Sequence, residues 1–298
     1  MDKEFSQIKK QKTNAAMLSL FANLFLILIK LAVSVFSGSI GLAAEAIHSS
    51  FDFIASIFAF IGVEKSSKPA DNDHHYGHYK YEYLSSLAQS TLLILTGIFV
   101  IYESLNRIIT PQIISHQYLA IIVIVISLVV DYLIYRRLLS TAQETQSPAL
   151  MADAQHFSTD IISTIAVAIG LVFSKIGYSI FDPISAMVVA AIMIHTGYNL
   201  ANNALYTLTD KSPTENIIEE MQRIIENTKG VKNQHKFRAR LVGNQIFAEV
   251  HVRVQPKISV ESGHQIAHNV KTNLSSRFEN LKEITIHIEP YKKSSHTK

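Results

Sequence analysis

Two short motifs could do metal chemistry. His48-Ser49-Ser50-Phe51-Asp52 and His156-Phe157-Ser158-Thr159-Asp160 each place an imidazole and a carboxylate four residues apart. On an α-helix that spacing puts both groups on one face, about one turn apart. Two such helices side by side offer two imidazoles and two carboxylates, a tetrahedral ligand set without thiolate. The chain contains no Cys, so disulfides, Cys-ligated zinc, iron–sulfur clusters and thiol catalysis are excluded. Any metal site must be built from His, Asp and Glu, and there are 13 His to build it from.

Other residues stand near these motifs. Glu45 and Asp153 precede the two histidines by three residues and read as outer acceptors, gate residues or rim positions. Asp131 is another candidate, to be paired with a polar neighbour, whereas Asn23 and Lys30 read as packing or snorkelling groups. A polar run, Asp71-Asn72-Asp73-His74-His75-Tyr76-Gly77-His78, holds a second cluster in which His74, His78 and an aspartate form a possible metal site. Its alternative is a solvated loop. A third group, His235, His251, His264, His287 and Glu289, is scattered over the C-terminal part. Surface histidines are common, but several near the strand ends of one small sandwich can converge at a shared edge.

The positioning elements follow from the apolar pattern. Hydrophobic residues make up 48% of the 298 and charged residues 17%, against ~25% charged in ordinary globular chains. That excludes a disordered chain. Six stretches, 15–36, 40–63, 83–109, 118–139, 149–175 and 179–208, are long enough to cross a bilayer, which takes about 20 helical residues. The fourth, with an unbroken Ile/Val run from Ile121 to Ile126, is the plainest. The second, third and fifth carry more polar residues, so they are expected to face one another rather than lipid. At 1.5 Å rise per residue, Asp52 and Asp160 each lie roughly 16 Å from the cytoplasmic end of their spans. The two helices run in opposite directions, yet the carboxylates reach one level.

Lys and Arg set the orientation. Lys3, Lys9, Lys10, Lys12, Lys65, Lys68, Lys80, Arg136, Arg137 and Lys211 fall on one side, and only Arg107 and Lys175 on the other. Both termini are therefore expected in the cytoplasm, and no cleavable signal pattern is seen at the start. Residues 1–210 are expected to form the membrane domain and residues 211–298 a cytoplasmic domain. The latter reads as helix 215–228, strands 235–241 and 246–254 around Val242-Gly243-Asn244-Gln245, helix 260–278 and strand 284–288. The fold class is thus an α-helical membrane protein with six transmembrane helices and a C-terminal α+β domain of ferredoxin-like type.

With these residues in view, the chain resembles the cation diffusion facilitator family, in particular its zinc-type bacterial members. The resemblance rests on His48-x3-Asp52, the loop from Lys68-Pro69-Ala70-Asp71 through Gly77-His78 to Glu82, His156-x3-Asp160 and the ending Ile286-His287-Ile288-Glu289-Pro290. It implies six membrane helices, a ferredoxin-like cytoplasmic domain, a homodimer, and export of divalent metal, usually in exchange for protons. It further implies that His48, Asp52, His156 and Asp160 form the transport site and Asp71, His74 and His78 a loop site. His235, His251, His264, His287 and Glu289 match tail metal positions, with His268 an extra candidate. Glu289 replaces an Asp that is frequent in the family. Lys80 and Asp210 match an intersubunit charge interlock, which Arg240 can join.

Two His with two Asp resembles the zinc subgroup, in line with the preference of imidazole for Zn²⁺ and of oxygen sites for Mn²⁺. Zn²⁺ is then expected as transported substrate and as regulatory ligand in the tail, with no resident cofactor, no enzymatic activity and no nucleic-acid partner. The expected partners are divalent metal ions, protons, the lipid bilayer and a second copy. The expected location is the plasma membrane. The alternatives are the same fold exporting mainly Fe²⁺, Cd²⁺, Co²⁺ or Mn²⁺, a membrane-embedded metalloenzyme, or a metal-sensing scaffold. No His-Glu-x-x-His is present, and a four-ligand set suits transit better than catalysis, which needs an open coordination position.

Overall fold

The computed structural model describes residues 2–37, 40–109, 117–175, 181–243 and 245–292, with the side chains at 2–6, 34, 36–37, 40–48, 107, 109, 117–121, 167–175 and 181–182 left undescribed. The chain divides into two compact units, Met1–Leu205 and Tyr206–Lys298.

The first unit is built from six long helices: α1 (Asp2–Ser37), α2 (Ile40–Ser66), α3 (Lys80–Ile109), α4 (Gln117–Thr145), α5 (Pro148–Lys175) and α6 (Phe181–Leu208). Among the described residues, Gln7–Val33, Lys80–Asn106 and Pro183–Leu208 are long and apolar enough to cross a membrane by composition alone. In α4 the Ile/Val run begins among undescribed side chains, and the rest of the helix carries Asp131, Arg136 and Arg137. The α2 and α5 helices carry Asp52, Asp153, His156 and Asp160. Helix α5 starts as its sequence dictates. Pro148 takes the first helical position, where its missing N–H costs nothing, and the Ser147 carbonyl accepts from the Met151 N–H at 3.0 Å.

Packing inverts the usual pattern. Large apolar side chains face outward, with Phe21 and Leu28 each 58% exposed and Leu133 61%. Asn23, Asp52, Asp131, Asp153 and His156 are buried. This is expected where lipid is the solvent and polar groups must find partners inside the bundle. Small residues let the backbones approach. A Cβ on Gly62 would lie 2.4 Å from Ser85 Cβ, and one on Gly97 would lie 3.0 Å from the Ala190 carbonyl oxygen.

The second unit continues as α7 (Glu215–Glu226), β1 (Val231–Val242), β2 (Gln245–Val254), α8 (Val260–Arg277) and β3 (Leu281–Pro290). The sheet order is β1-β2-β3, with β1 antiparallel and β3 parallel to β2. Strand alternation divides its faces. Ile246, Ala248, Val250, Val252 and Val254 of β2 form a core with Met221 and Ile225 of α7 and Val270 and Leu274 of α8. Both helices therefore cover one face and leave the other open. Ser259 caps α8, its hydroxyl accepting from the Ser262 N–H at 3.1 Å.

Candidate metal sites

The helical motifs meet as their spacing requires. His156 Nε2 of α5 lies 2.9 Å from Asp52 Oδ1 of α2 and 3.7 Å from Asp160 Oδ2 of its own helix. Asp52 and His156 are each 5% exposed. One ligand atom from each of the three residues falls within 4.8 Å of the others, close enough to share one ion. The fourth predicted ligand, His48, and its neighbour Glu45 have side chains outside the described residues.

A polar layer supports this triad. Ser56, one turn along α2 from Asp52, donates to Asp153 Oδ1 at 3.2 Å. It also accepts from Asn23 Nδ2 at 2.7 Å and pairs with the Ser19 hydroxyl at 2.8 Å. Asn23 is thus a structural link between α1 and α2. Lys30 donates to Ser49 Oγ at 2.7 Å, so its ammonium stays inside the bundle instead of reaching for the interface. Asp131 of α4 is buried within electrostatic range of Asp160, Asp52 and Lys30.

Glu82 occupies a place that sequence patterns did not show. It is 4% exposed in the first turn of α3. Its Oε1 takes bonds from Lys12 Nζ of α1 and Ser66 Oγ of α2, both at 2.8 Å, and its Oε2 accepts from Ser147 at the start of α5. Four helices meet on one carboxylate. The sequence signals were its place at the end of the loop motif and an acidic residue at the start of a long apolar helix.

The loop between α2 and α3 gathers Asp71, His74 and His78. Asp71 Oδ2 lies 3.4 Å from His78 Nε2, and Asp71 Oδ1 lies 3.6 Å from His74 Nδ1. The N–H groups of His74 and Asp73 donate to Asp71 Oδ1 at 2.8 and 3.0 Å. These bonds hold the Asp71 carboxyl below its usual pKa, the His74 N–H contributing most. His78 Nδ1 faces the Pro69 carbonyl at 3.1 Å, which fixes the ring and presents Nε2 to the cluster. His75 is exposed and stands apart.

In the second unit His235, His251 and His287 are direct neighbours across the three strands. Glu289 joins them, with Oε1 2.8 Å from His251 Nδ1 and 3.7 Å from His287 Nε2, and Oε2 3.4 Å from His235 Nε2. His235, His251 and Glu289 can converge on one ion. The cluster occupies the open face of the sheet. The bond from His251 holds the Glu289 carboxyl below its usual pKa, with His235 and His287 adding to the effect. Burial lowers the pKa of His235, and the positive charge of Arg253 lowers it further. Both shifts favour the metal-ready forms, ionised Glu289 and neutral His235.

A β-bulge aims His235. From Val242↔Gln245 to Arg238↔Glu249 the register is regular, and continuing it would set His235 opposite Val252 on the helix-covered face. A register shift between His235 and Arg238, where Lys236 has φ 51°, instead sets His235 opposite His251. The extra residue reverses which face the side chain occupies.

His264 does not join this cluster. It is exposed on α8, which lies against Ile288 on the covered face, as the 3.5 Å from a Cβ on Gly263 to Ile288 Cγ2 shows. The expected shared edge therefore holds four of the five tail residues within one chain. His268, on the same helix, faces Thr272 Oγ1 at 3.4 Å. Asp210 pairs with Arg240 Nη1 at 3.2 Å within the chain. Lys80 belongs to the other unit.

An all-helical bundle with a buried His/Asp triad, followed by a small α+β domain with a second His/carboxylate cluster, defines a metal-handling membrane protein. The family model for the "Cation efflux transmembrane domain" matches residues 16–209, and that for "Cation efflux protein, cytoplasmic domain" matches 213–291. The chain belongs to the cation efflux, or cation diffusion facilitator, family, and is a divalent cation efflux transporter. Its C-terminal domain is the family's dimerisation domain. Relatives include the transporter MJ0449 of Methanocaldococcus jannaschii, 32% identical over 91% of this chain and 96% of its own. The manganese efflux system protein MneP of Bacillus subtilis is 28% identical, covering 98% of this chain and 99% of its own. The cation-efflux pump FieF of Shewanella oneidensis is 28% identical over 93% of each.

Proposed function

We propose that the protein exports Zn²⁺ from the cytoplasm in exchange for protons by alternating access, with Asp52, His156 and Asp160, together with His48, as the transport site. The supporting observation is the approach of Asp52 and Asp160 to one imidazole nitrogen, at 2.9 and 3.7 Å, on two different helices. Metal requires the imidazole neutral and the carboxylates ionised, so metal and proton compete for the same atoms. An unperturbed imidazole titrates near pH 6.5, which suits exchange against a physiological proton gradient. In this reading the loop cluster and the tail cluster bind Zn²⁺ as a regulatory ligand. Two copies associate through the cytoplasmic domains and the Lys80/Asp210 interlock. The protein sits in the plasma membrane with both termini cytoplasmic.

A second reading is the same transporter acting mainly on Mn²⁺. It is favoured by the likeness to a manganese efflux protein and by the two carboxylates among the three described ligands. The deciding experiment is flux of competing divalent metals into proteoliposomes under a pH gradient. Zn²⁺ is expected to outcompete Mn²⁺ and to move protons the opposite way. Preferred Mn²⁺ flux would overturn the Zn²⁺ assignment. Turnover of an organic substrate without metal flux would favour the metalloenzyme.

A further inference from the structure

The outward face of α6 does not suit lipid. Its inward face is accounted for: Val189 and Met193 are buried with Leu93 of α3, and a Cβ on Gly197 would lie 3.0 Å from the Ser90 carbonyl oxygen. Roughly opposite lie Val188 (57% exposed), Ile192 (39%), His195 and Asn199, both exposed, and Asn202, half-buried. These five are spaced by four, three, four and three residues. That is the heptad pattern of a seam between two helices. His195 stands at the centre of the Pro183–Leu208 span, about 18 Å along from Pro183. Its Nε2 lies 3.1 Å from Asn199 Nδ2.

An imidazole and an amide at mid-membrane depth need hydrogen-bonding surroundings that acyl chains cannot supply. We propose that this seam pairs with the same seam of a second copy, α6 against α6 in parallel, with His195 and Asn199 hydrogen-bonding across a two-fold axis. Three observations choose a second copy over an unlike partner. Imidazole and carboxamide each offer a donor and an acceptor, so the stripe is complementary to itself, as an isologous contact requires. Polar residues at seam positions fix the register of helix pairs. Finally, α6 runs directly in sequence into the domain that dimerises in this family. The proposal adds a membrane-level contact to that association and is independent of which metal is carried.

The absence of native Cys makes the test direct, because each introduced thiol is unique. Full-length Asn199→Cys and Ile192→Cys are compared in membrane vesicles with Leu133→Cys on α4 and Leu28→Cys on α1, using iodine oxidation or a short bis-maleimide. Thiols held close together react at the high effective concentration of an intramolecular pair, so the seam variants are expected to give roughly tenfold more covalent dimer than the controls. The yield should survive dilution of the protein into excess lipid. Dimer yields at both seam positions no higher than at Leu133→Cys would overturn the proposal. So would labelling of the Asn199→Cys thiol by a lipid-confined reagent as fast as the controls, or by a water-soluble, membrane-impermeant one. Ile192→Cys leaves the polar pair intact and keeps the test valid if Asn199→Cys fails to insert.

Discussion

The chain assembles imidazoles and carboxylates twice, by two different periodicities. In the membrane unit, Asp52, His156 and Asp160 come from two helices, and the i, i+4 step places His156 beside Asp160. In the cytoplasmic unit, His235, His251 and Glu289 come from three strands, with cross-strand pairing placing the two histidines side by side. The first cluster is buried where water is scarce, so its charges depend on one another, on the polar layer and on a passing ion. The second lies on an open sheet face, where water and Arg253, 3.8 Å from Glu289 Oε2, can replace a departing ion. Burial makes the helical triad a place where charge is costly to leave uncompensated. Exposure suits the sheet cluster to reversible binding that follows cytoplasmic metal concentration.

The comparison is broken most sharply by deleting ligands on each side. Asp52→Ala or Asp160→Ala should lower Zn²⁺/H⁺ exchange in proteoliposomes by ~100-fold or more, since losing a ligand exceeds the 10–100-fold typical of its outer partners. Glu289→Ala should leave the maximal flux within about tenfold, because its cluster belongs to the other unit. Equal losses would erase the distinction. His156→Asp should come next, shifting the ratio of Zn²⁺ to Mn²⁺ flux toward Mn²⁺ by about tenfold or more, because the site exchanges one imidazole for oxygen.

Removing the bulge tests the sheet cluster. Deletion of Lys236 should make the ladder regular and leave His235 opposite His251, because one residue of β1 then faces one of β2 between that pair and Arg238↔Glu249. Tail affinity for Zn²⁺, measured by calorimetry on the full-length protein carrying Asp52→Ala, should therefore stay within about tenfold after this deletion, whereas His235→Ala should lower it by about tenfold or more with the circular dichroism unchanged. The smallest effect concerns pH. Glu289 and His235 both have lowered pKa values, so the metal-ready forms persist as pH falls through the ordinary imidazole range. Tail metal binding should therefore stay nearly constant from pH 8 to about 6.5 and weaken only at lower pH. A midpoint above about pH 7 would contradict the shielding of His235.

The two regions also differ in how far they could be read in advance. For the helical triad, i, i+4 spacing and matched depth were enough, because helix geometry is fixed by residue number alone. The tail depended on register. A hairpin around Val242 and Gln245 was legible, but counting back from it sets His235 against Val252, and the bulge that corrects this has no sequence mark. His264 was grouped with the tail cluster because no pattern reveals on which side of a sheet a crossover helix packs. Glu82 was quoted only as part of a motif, since its partners Lys12, Ser66 and Ser147 are scattered over the chain.

That carboxylate also has a mechanical consequence. Lys12 and Glu82 are mostly buried, their side chains 15% and 6% exposed. Separating such a pair strands a charge at a cost of about 3–5 kcal/mol. The ends of α2, α3 and α5 and the third turn of α1 are therefore bound to one rivet. Under the proposed alternating access, the bundle should turn about this rivet as a fulcrum, with the widest displacement at the opposite ends of the same helices.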